Sequence, residues 1–257
     1  DMGIFMDEWK SLYESKSGER GIFNRASANK MAEKTGRRQI EGHEFGTNPC
    51  SEIILRDREF CNLSECVVRP TDTRETLMKK VELATIIGTF QSTLTNFKYV
   101  SSAWKKNCEE ERLLGVSLTG IMDCKLTNGK DKNLKQLLKE LREVAVETNK
   151  VWTKKLGINQ SVSITCVKPS GTVSQLVDAA SGIHARHNPF YIRTVRGDKK
   201  DPLTKMMVDA GFPVEDDVMN PNHTSVFSFP MKVHKSAVFR TDMSAIEQLE
   251  LWLTYQK

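Results

Sequence analysis

The stretch Asn48-Pro49-Cys50-Ser51-Glu52 places an amide, a thiol and a carboxylate at alternate positions. In an extended segment that alternation turns all three side chains to one face. A carboxylate beside a thiol raises the thiol's pKa, the wrong direction for a cysteine nucleophile that must ionise. The set suits a thiol that stays protonated and gives up a hydrogen atom, with Glu52 free to act as a base and Asn48 to orient a substrate. The start of a strand with a buried Cys between solvent-facing polar residues would be spelled the same way, so this stretch alone leaves both readings open.

A second cysteine follows in Phe60-Cys61-Asn62-Leu63-Ser64-Glu65. Further on, Lys168-Pro169-Ser170-Gly171-Thr172-Val173-Ser174 forms a turn of small residues after an apolar run at 163–167. Backbone N–H groups exposed at a strand-to-helix turn can hold phosphate, helped by the positive potential of the helix start. The turn lacks the Gly-x-x-x-x-Gly-Lys-Ser/Thr pattern, so phosphoryl transfer is not supported. Most turns of this composition are purely structural.

These stretches resemble the ribonucleotide reductases, whose Asn-x-Cys-x-Glu motif carries a transient thiyl radical. The resemblance implies that Cys50 carries the radical, with Asn48 and Glu52 as its partners. It implies that Cys61, in its Cys-Asn-Leu-Ser context, is half of the redox pair that supplies reducing equivalents. It also implies that Pro169, Ser170, Gly171, Thr172, Val173 and Ser174 bind substrate phosphates. The gap from Cys50 to Cys61 is short, as in cobalamin-dependent members; iron-dependent enzymes typically have a longer one. Looser matches are Gly18-Glu19-Arg20-Gly21-Ile22 within 14–25, Gly115 to Gly120 as a barrel strand, and Ser181 to Arg186, running on to Arg193, which is similar to cobalamin-dependent members. The matched segments keep the family's order.

The implied fold is α/β, part of the family's ten-stranded α/β barrel, with Cys50 on a central finger loop. Residues 1–257 would form one partial catalytic barrel domain, with upstream and C-terminal parts missing. The implied cofactor is adenosylcobalamin. The implied partners are a ribonucleotide substrate, preferably a triphosphate, an allosteric deoxynucleotide effector bound outside this chain, and thioredoxin or a similar dithiol. The thiol that pairs with Cys61 is expected upstream of residue 1, so the chain as it stands is expected to be inactive. Two other readings are kept: the large subunit of an iron-dependent reductase, and a non-catalytic nucleotide-binding module.

Helices must position these residues. Apolar residues at 3.6-residue spacing predict one from Leu134 to Leu156, closed by Gly157. Others are expected over Arg74 to Phe97, Asp7 to Ser15, Ser101 to Glu111, Pro202 to Ala210 and from Ser244 onward. β-Branched runs predict strands at Glu52 to Leu55, Cys66 to Arg69, Leu113 to Leu118, Ser163 to Val167, Tyr191 to Val195 and Ser225 to Phe229. The alternation points to an α/β architecture with largely buried strands. Lys16 to Gly46 and Arg196 to Pro202 read as loops.

With 257 residues and 39% hydrophobic content, the chain can bury a sizeable core. No apolar run is long enough to span a membrane, and no signal peptide opens the chain, so a cytoplasmic protein without membrane contact is expected. A net charge of +5 spread along the chain has no basic block for direct nucleic-acid binding. It is compatible with a small anion. In a reducing compartment six cysteines are not a disulfide framework. Cys66, Cys108, Cys124 and Cys166 read as packed thiols. Zinc held by Cys61, Cys66 and His43 lacks the usual ligand spacing, so no metal site is expected. His184 and His187, beside Arg186, could meet phosphate or cofactor, or be structural.

Overall fold

The computed structural model describes residues 1–17, 21–37 and 44–257. It opens with α1 (Met2–Ser15), capped by Asp1, whose Oδ1 accepts the Gly3 N–H. Next comes α2 (Arg25–Lys34), in a stretch expected to be loop. Asn24 caps it by accepting from Ser27 N at 2.9 Å, and it buries only Ala28 and Ala32. Two alanines give too weak an apolar stripe to register as periodicity. The chain then forms a short antiparallel hairpin, β1 (Gly46–Thr47) with β2 (Ile54–Leu55).

The centre of the molecule is parallel. Strand β3 (Asn62–Val67) is followed by α3 (Arg74–Gln91), α4 (Ser102–Glu111) and β4 (Leu114–Thr119). Strands β3 and β4 pair in register from Asn62 with Leu114 to Val67 with Thr119. Helix α5 (Leu134–Leu156) then carries the chain to residues 163–166, which bond the other edge of β4. Leu114 N donates to Ser163 O at 2.9 Å, Val116 N to Ile164 O at 2.8 Å, and Cys166 N to Val116 O at 3.1 Å. Donors two residues apart thus reach carbonyls one residue apart, and the pairing slips by one at Gly115. That slip turns Cys166 to the Gly115 side of the sheet.

Helices α3 and α5 cover the opposite side. Leu77, Val81 and Ala84 meet Leu137, Leu141 and Ala145 over Cys66, Leu114, Val116 and Ile164. The i, i+4 spacing on both helices is what brings these side chains to one stripe. Helix α3 ends at Gln91, short of the expected Phe97. The Thr89 and Ser92 hydroxyls bond back to the carbonyls of Thr85 and Thr89, and the buried Arg112 holds Ser92 O. These side chains satisfy the helix end and release the chain.

A short helical turn (Ile121–Asp123) and α6 (Thr172–Leu176) follow β4 and the 163–166 segment respectively. Ile121, Met122, Leu134, Ala180, Ile183 and Val238 form a second apolar cluster with Leu251. The remaining elements are β5 (Phe190–Asp198), α7 (Pro202–Asp209), β6 (Val214–Asp216), β7 (Thr224–Lys232) and α8 (Ala245–Gln256). The three strands form an antiparallel sheet in the order β5-β7-β6. The expected loop at Arg196 to Pro202 is therefore partly strand. Burial is uneven as well: β4 is buried, whereas β5 is mostly exposed.

The fold class is α/β. Among the described residues the parallel part is β3, β4 and the 163–166 segment. No helix there is long and apolar enough to cross a membrane.

Candidate active site

The segment from Asn48 to Glu52 is not extended, so the expected common face of Asn48, Cys50 and Glu52 does not form. Residues 48–53 make the turn of the β1–β2 hairpin. Ser51 N donates to Asn48 O at 2.9 Å, Ser51 takes a left-handed φ of 60°, and Ile53 N donates to Asn48 Oδ1 at 3.0 Å. Pro49 fixes its own φ and favours reversal, and Asn is the side chain best suited to hold a turn. Period-two reasoning fails where the chain bends. As a result Cys50 stands exposed at the turn and Glu52 points inward.

The Glu52 side chain is only 2% exposed, and neither carboxylate oxygen has a hydrogen-bond partner. Among the described residues its ion-pair partner is Lys168, whose Nζ lies 3.9 Å from Oε1. Burying a carboxylate without donors is costly, so such a group marks a place where donors arrive from elsewhere. Leu63 and Glu65 of β3 alternate toward the side away from the helices, and Cys61 directly precedes the strand. One Glu65 oxygen is also buried without a partner. A Cβ at Gly115 would come within 2.5 Å of Leu63 Cδ2, 3.1 Å of Cys166 Sγ and 3.3 Å of Ile53 Cδ1. The missing side chain is what lets the hairpin, β3 and the 163–166 segment converge there.

Burial, reinforced by the Glu52 charge, pushes the Cys61 thiol up to about 11. The same two causes, in the same order, push Cys166 up to about 12. Burial first, and then the Glu52 charge, favour the protonated thiol at Cys61 and Cys166. Cys166 was expected to be an inert packed thiol, and the structure groups it with Glu52 and Cys61. It is not placed to form a disulfide with Cys61: the two flank β4, and strands two apart lie about 9.5 Å from each other, beyond the reach of an unstrained bridge. Cys66 faces the helix side, where its Sγ donates to Lys80 O at 3.5 Å. His43 lies outside the described residues, as do Gly18, Glu19 and Arg20 of the looser 14–25 match. Among the described residues no cluster of three or more His, Cys, Asp or Glu could hold a metal ion.

The small-residue turn lies beside this cluster. Lys168, 22% exposed, donates to Pro169 O at 3.0 Å while facing Glu52, so it ties the turn to the carboxylate. Ser170 and Ser174 are buried and engaged: Ser170 Oγ accepts from Ser174 N, Ser174 Oγ donates to Gly171 O, and Ser170 O accepts from Ser181 Oγ. Gly171, Thr172 and Val173 are exposed. Of the six residues in the expected phosphate turn, those three can present backbone N–H groups outward. A Cβ at Gly171 would meet no protein atom within 4 Å.

Arg186 is not available to a ligand. It is buried, bonding Asp123 through Nε at 2.9 Å and Nη2 at 3.0 Å, and Asp178 through Nη1 at 2.9 Å. His184 Nδ1 lies 3.1 Å from Ser181 O at the surface.

Sequence reading also missed a buried ion cluster under the hairpin. Arg37 Nη1 donates to Ile54 O at 2.8 Å, and its guanidinium lies 5.0 Å from the centre of the Phe45 ring. Glu111 accepts from Arg37 Nε at 2.8 Å and from Nη2, and Glu59 accepts from Nη2 at 3.2 Å. Arg56 N donates to Glu59 Oε2 at 2.8 Å, and Arg56 Nη1 to Glu110 at 3.0 Å. Only the charge of these residues shows in the sequence, and charge is usually surface.

No protein-family model matches the chain. Curated relatives do. The adenosylcobalamin-dependent ribonucleoside-triphosphate reductase of Lactobacillus leichmannii is 30% identical over 217 residues, 75% of this chain and 29% of the relative. The enzyme of the same name from Lactobacillus gasseri is 30% identical over 254 residues, 88% of this chain and 34% of the relative. That from Euglena gracilis is 30% identical over 210 residues, 80% and 28%. The crystal structure of a B-12 dependent (class II) ribonucleotide reductase superposes with a TM-score of 0.67 at 28% identity, covering 82% of this chain and 33% of that one. By fold and sequence the chain is thus a relative of the ribonucleotide reductases. Within that class its likeness is to the adenosylcobalamin-dependent ribonucleoside-triphosphate reductases, and it spans about a third of the length of the curated relatives it matches.

Proposed function

We propose that this chain is the radical-cysteine segment of an adenosylcobalamin-dependent ribonucleotide reductase, which reduces ribonucleotides, preferably triphosphates, to 2′-deoxyribonucleotides in the cytoplasm. The observation that carries the reading is Glu52, a buried carboxylate without a hydrogen-bond donor, next to thiols held protonated. A ribose hydroxyl is the kind of donor it lacks. Residues 1–257 would then be one part of a larger α/β barrel, with the hairpin as its central finger loop.

The exposed position of the Cys50 thiol suits a radical source outside this chain. When bound, adenosylcobalamin supplies a carbon-centred radical that takes the hydrogen atom of a thiol. Cys50 gives up that atom, and its sulfur radical removes the 3′ hydrogen of the ribose. Glu52 takes the 3′-hydroxyl proton while the 2′-hydroxyl leaves as water with the first of the two protons that the redox thiols supply, and Glu52 later returns its proton to the 3′ oxygen. Asn48 has its Oδ1 occupied by Ile53 N, which leaves its amide N–H groups to hold a ribose hydroxyl. Cys61 and a second thiol outside the chain then provide two electrons and two protons and become a disulfide, and Cys50 returns its hydrogen to carbon 3′. Thioredoxin or a similar dithiol reduces the disulfide. Lys168 faces Glu52 and offsets its charge, and the N–H groups of Gly171 to Val173 receive phosphate. A deoxynucleotide effector would act from outside this chain.

The test is deoxynucleotide formation by the purified full-length protein with adenosylcobalamin and a dithiol. Turnover with the cobalamin alone is expected. Turnover only after an iron- or manganese-containing subunit is added would overturn the cofactor assignment.

A further inference from the structure

Arg37 touches β2 and the residue that leads into β1 of the hairpin that bears Cys50 and Glu52. On the β2 side it holds Ile54 O; on the β1 side its guanidinium packs on Phe45, which is fully buried next to Gly46. Arg37 is in turn held by Glu111 at the end of α4 and by Glu59, whose Oε2 also accepts from Arg56 N just beyond β2. The side chains of Arg37, Arg56, Glu59 and Glu111 are all buried. A guanidinium that bonds three groups in fixed directions sets orientation as well as charge, which an ammonium could not do. Helix α4 leads directly into β4, so the cluster joins the hairpin to the sheet on which Cys61 and Cys166 converge.

We infer that Arg37 is a positioning residue for the cysteine hairpin, held by Glu111 and Glu59, and that it fixes where Cys50 and Glu52 stand relative to the parallel sheet. The catalytic part of this inference rests on the reductase reading above. The mechanical part does not.

The experiment uses the full-length protein and three variants: Arg37→Lys, Arg37→Met, and the charge-neutral double variant Arg37→Met with Glu111→Met. Arg37→Met alone takes the Arg37 hydrogen bonds from the buried Glu59 and Glu111, which keep the Arg56 guanidinium at 3.5 and 3.8 Å, and is expected to melt below the wild type. The double variant removes that penalty and keeps the test usable if the single variant fails to fold. Peptide-resolved amide exchange is measured over 46–55, with α3 and α5 as internal references. In Arg37→Lys and the double variant, exchange at 46–55 should rise about tenfold or more while the reference helices change little. Deoxynucleotide kcat should fall about a hundredfold with KM within about twofold, because substrate binding survives and alignment does not. Arg37→Lys should recover the melting temperature but not hairpin protection.

Unchanged exchange at 46–55 in the folded double variant would overturn the inference, whatever the activity. A wild-type protein without reductase activity would instead remove the functional reading, and the exchange result would still decide whether Arg37 is the clamp.

Discussion

Two buried carboxylates, Glu52 and Asp123, sit in the same α/β framework and are treated oppositely by it. Asp123 receives both arms of the Arg186 guanidinium and the Ala180 N–H at 2.8 Å. Glu52 receives no hydrogen bond and sees one cation at 3.9 Å. Arg186 is itself pushed further above its ordinary value: burial opposes this, but the bonds to Asp123 and Asp178 outweigh it. Asp123 is held as part of the fold, whereas the Glu52 oxygens are left open to a donor. The contrast separates Arg186, which lies between the two histidines that could have met phosphate or cofactor, from the hairpin.

The largest effects are expected at the thiols beside Glu52. In the full-length protein Cys50→Ser should abolish both deoxynucleotide formation and release of label from 3′-tritiated substrate, because an alcohol O–H bond is too strong to replace a thiol S–H. Cys61→Ser should still release label and then fail at reduction. Sustained turnover by either variant would remove the role assignment. Glu52→Gln keeps the shape but cannot accept a proton, and should lower kcat by about 10²–10⁴-fold. Asp123→Asn, by contrast, should act on the fold. It leaves Arg186 short of charge in a buried place and should cost about 3–5 kcal/mol in denaturant unfolding, with the 3′-label chemistry intact in whatever protein remains folded.

A smaller effect lies in pH. Burial first, and then the Glu111 charge, raise Glu59 to about 8, while Arg37 and the Arg56 N–H oppose the shift; the Cys61 and Cys108 thiols also feel Glu59. Because the folded protein binds this proton more tightly than the unfolded chain, Glu59 lowers stability progressively as pH rises from about 4.5 to about 8. Glu59→Gln should therefore gain stability relative to wild type across that window, read from urea midpoints at pH 5 and pH 8. A flat difference would show that Glu59 ionises normally.

The smallest structural change is Gly171→Val. Its Cβ meets no protein atom, so the unfolding midpoint should hardly move, while nucleotide affinity should fall about tenfold if backbone N–H groups there hold phosphate. Unchanged affinity in equilibrium binding would make the turn purely structural.

Much of this architecture was legible because it follows from apolar spacing. Helix α5 and its Gly157 end stand where the period placed them. Strand β3 began earlier than expected: its Asn62, Ser64 and Glu65 are polar, and a strand that lines a site does not advertise itself by hydrophobicity. The motif residues were found by type and order, but their geometry was not, since a turn at Pro49 and Ser51 undid the alternation. The contacts of Arg37, Lys168 and Cys166 were not legible for a different reason. Each matters through contacts made across long separations, and nothing local distinguishes a buried clamp arginine from a solvated one.

The bond between Arg37 and Glu111 spans 74 positions along the chain. Contacts of that span cannot form until the intervening loop has closed, whereas the pairing of α3 with its neighbouring strands is assembled from nearer segments. The cysteine hairpin is thereby fixed to the sheet only when the clamp closes on it. In a nascent or partly unfolded chain the already exposed Cys50 would not be held in place beside the sheet. Its chemistry is conditional on that long-range contact.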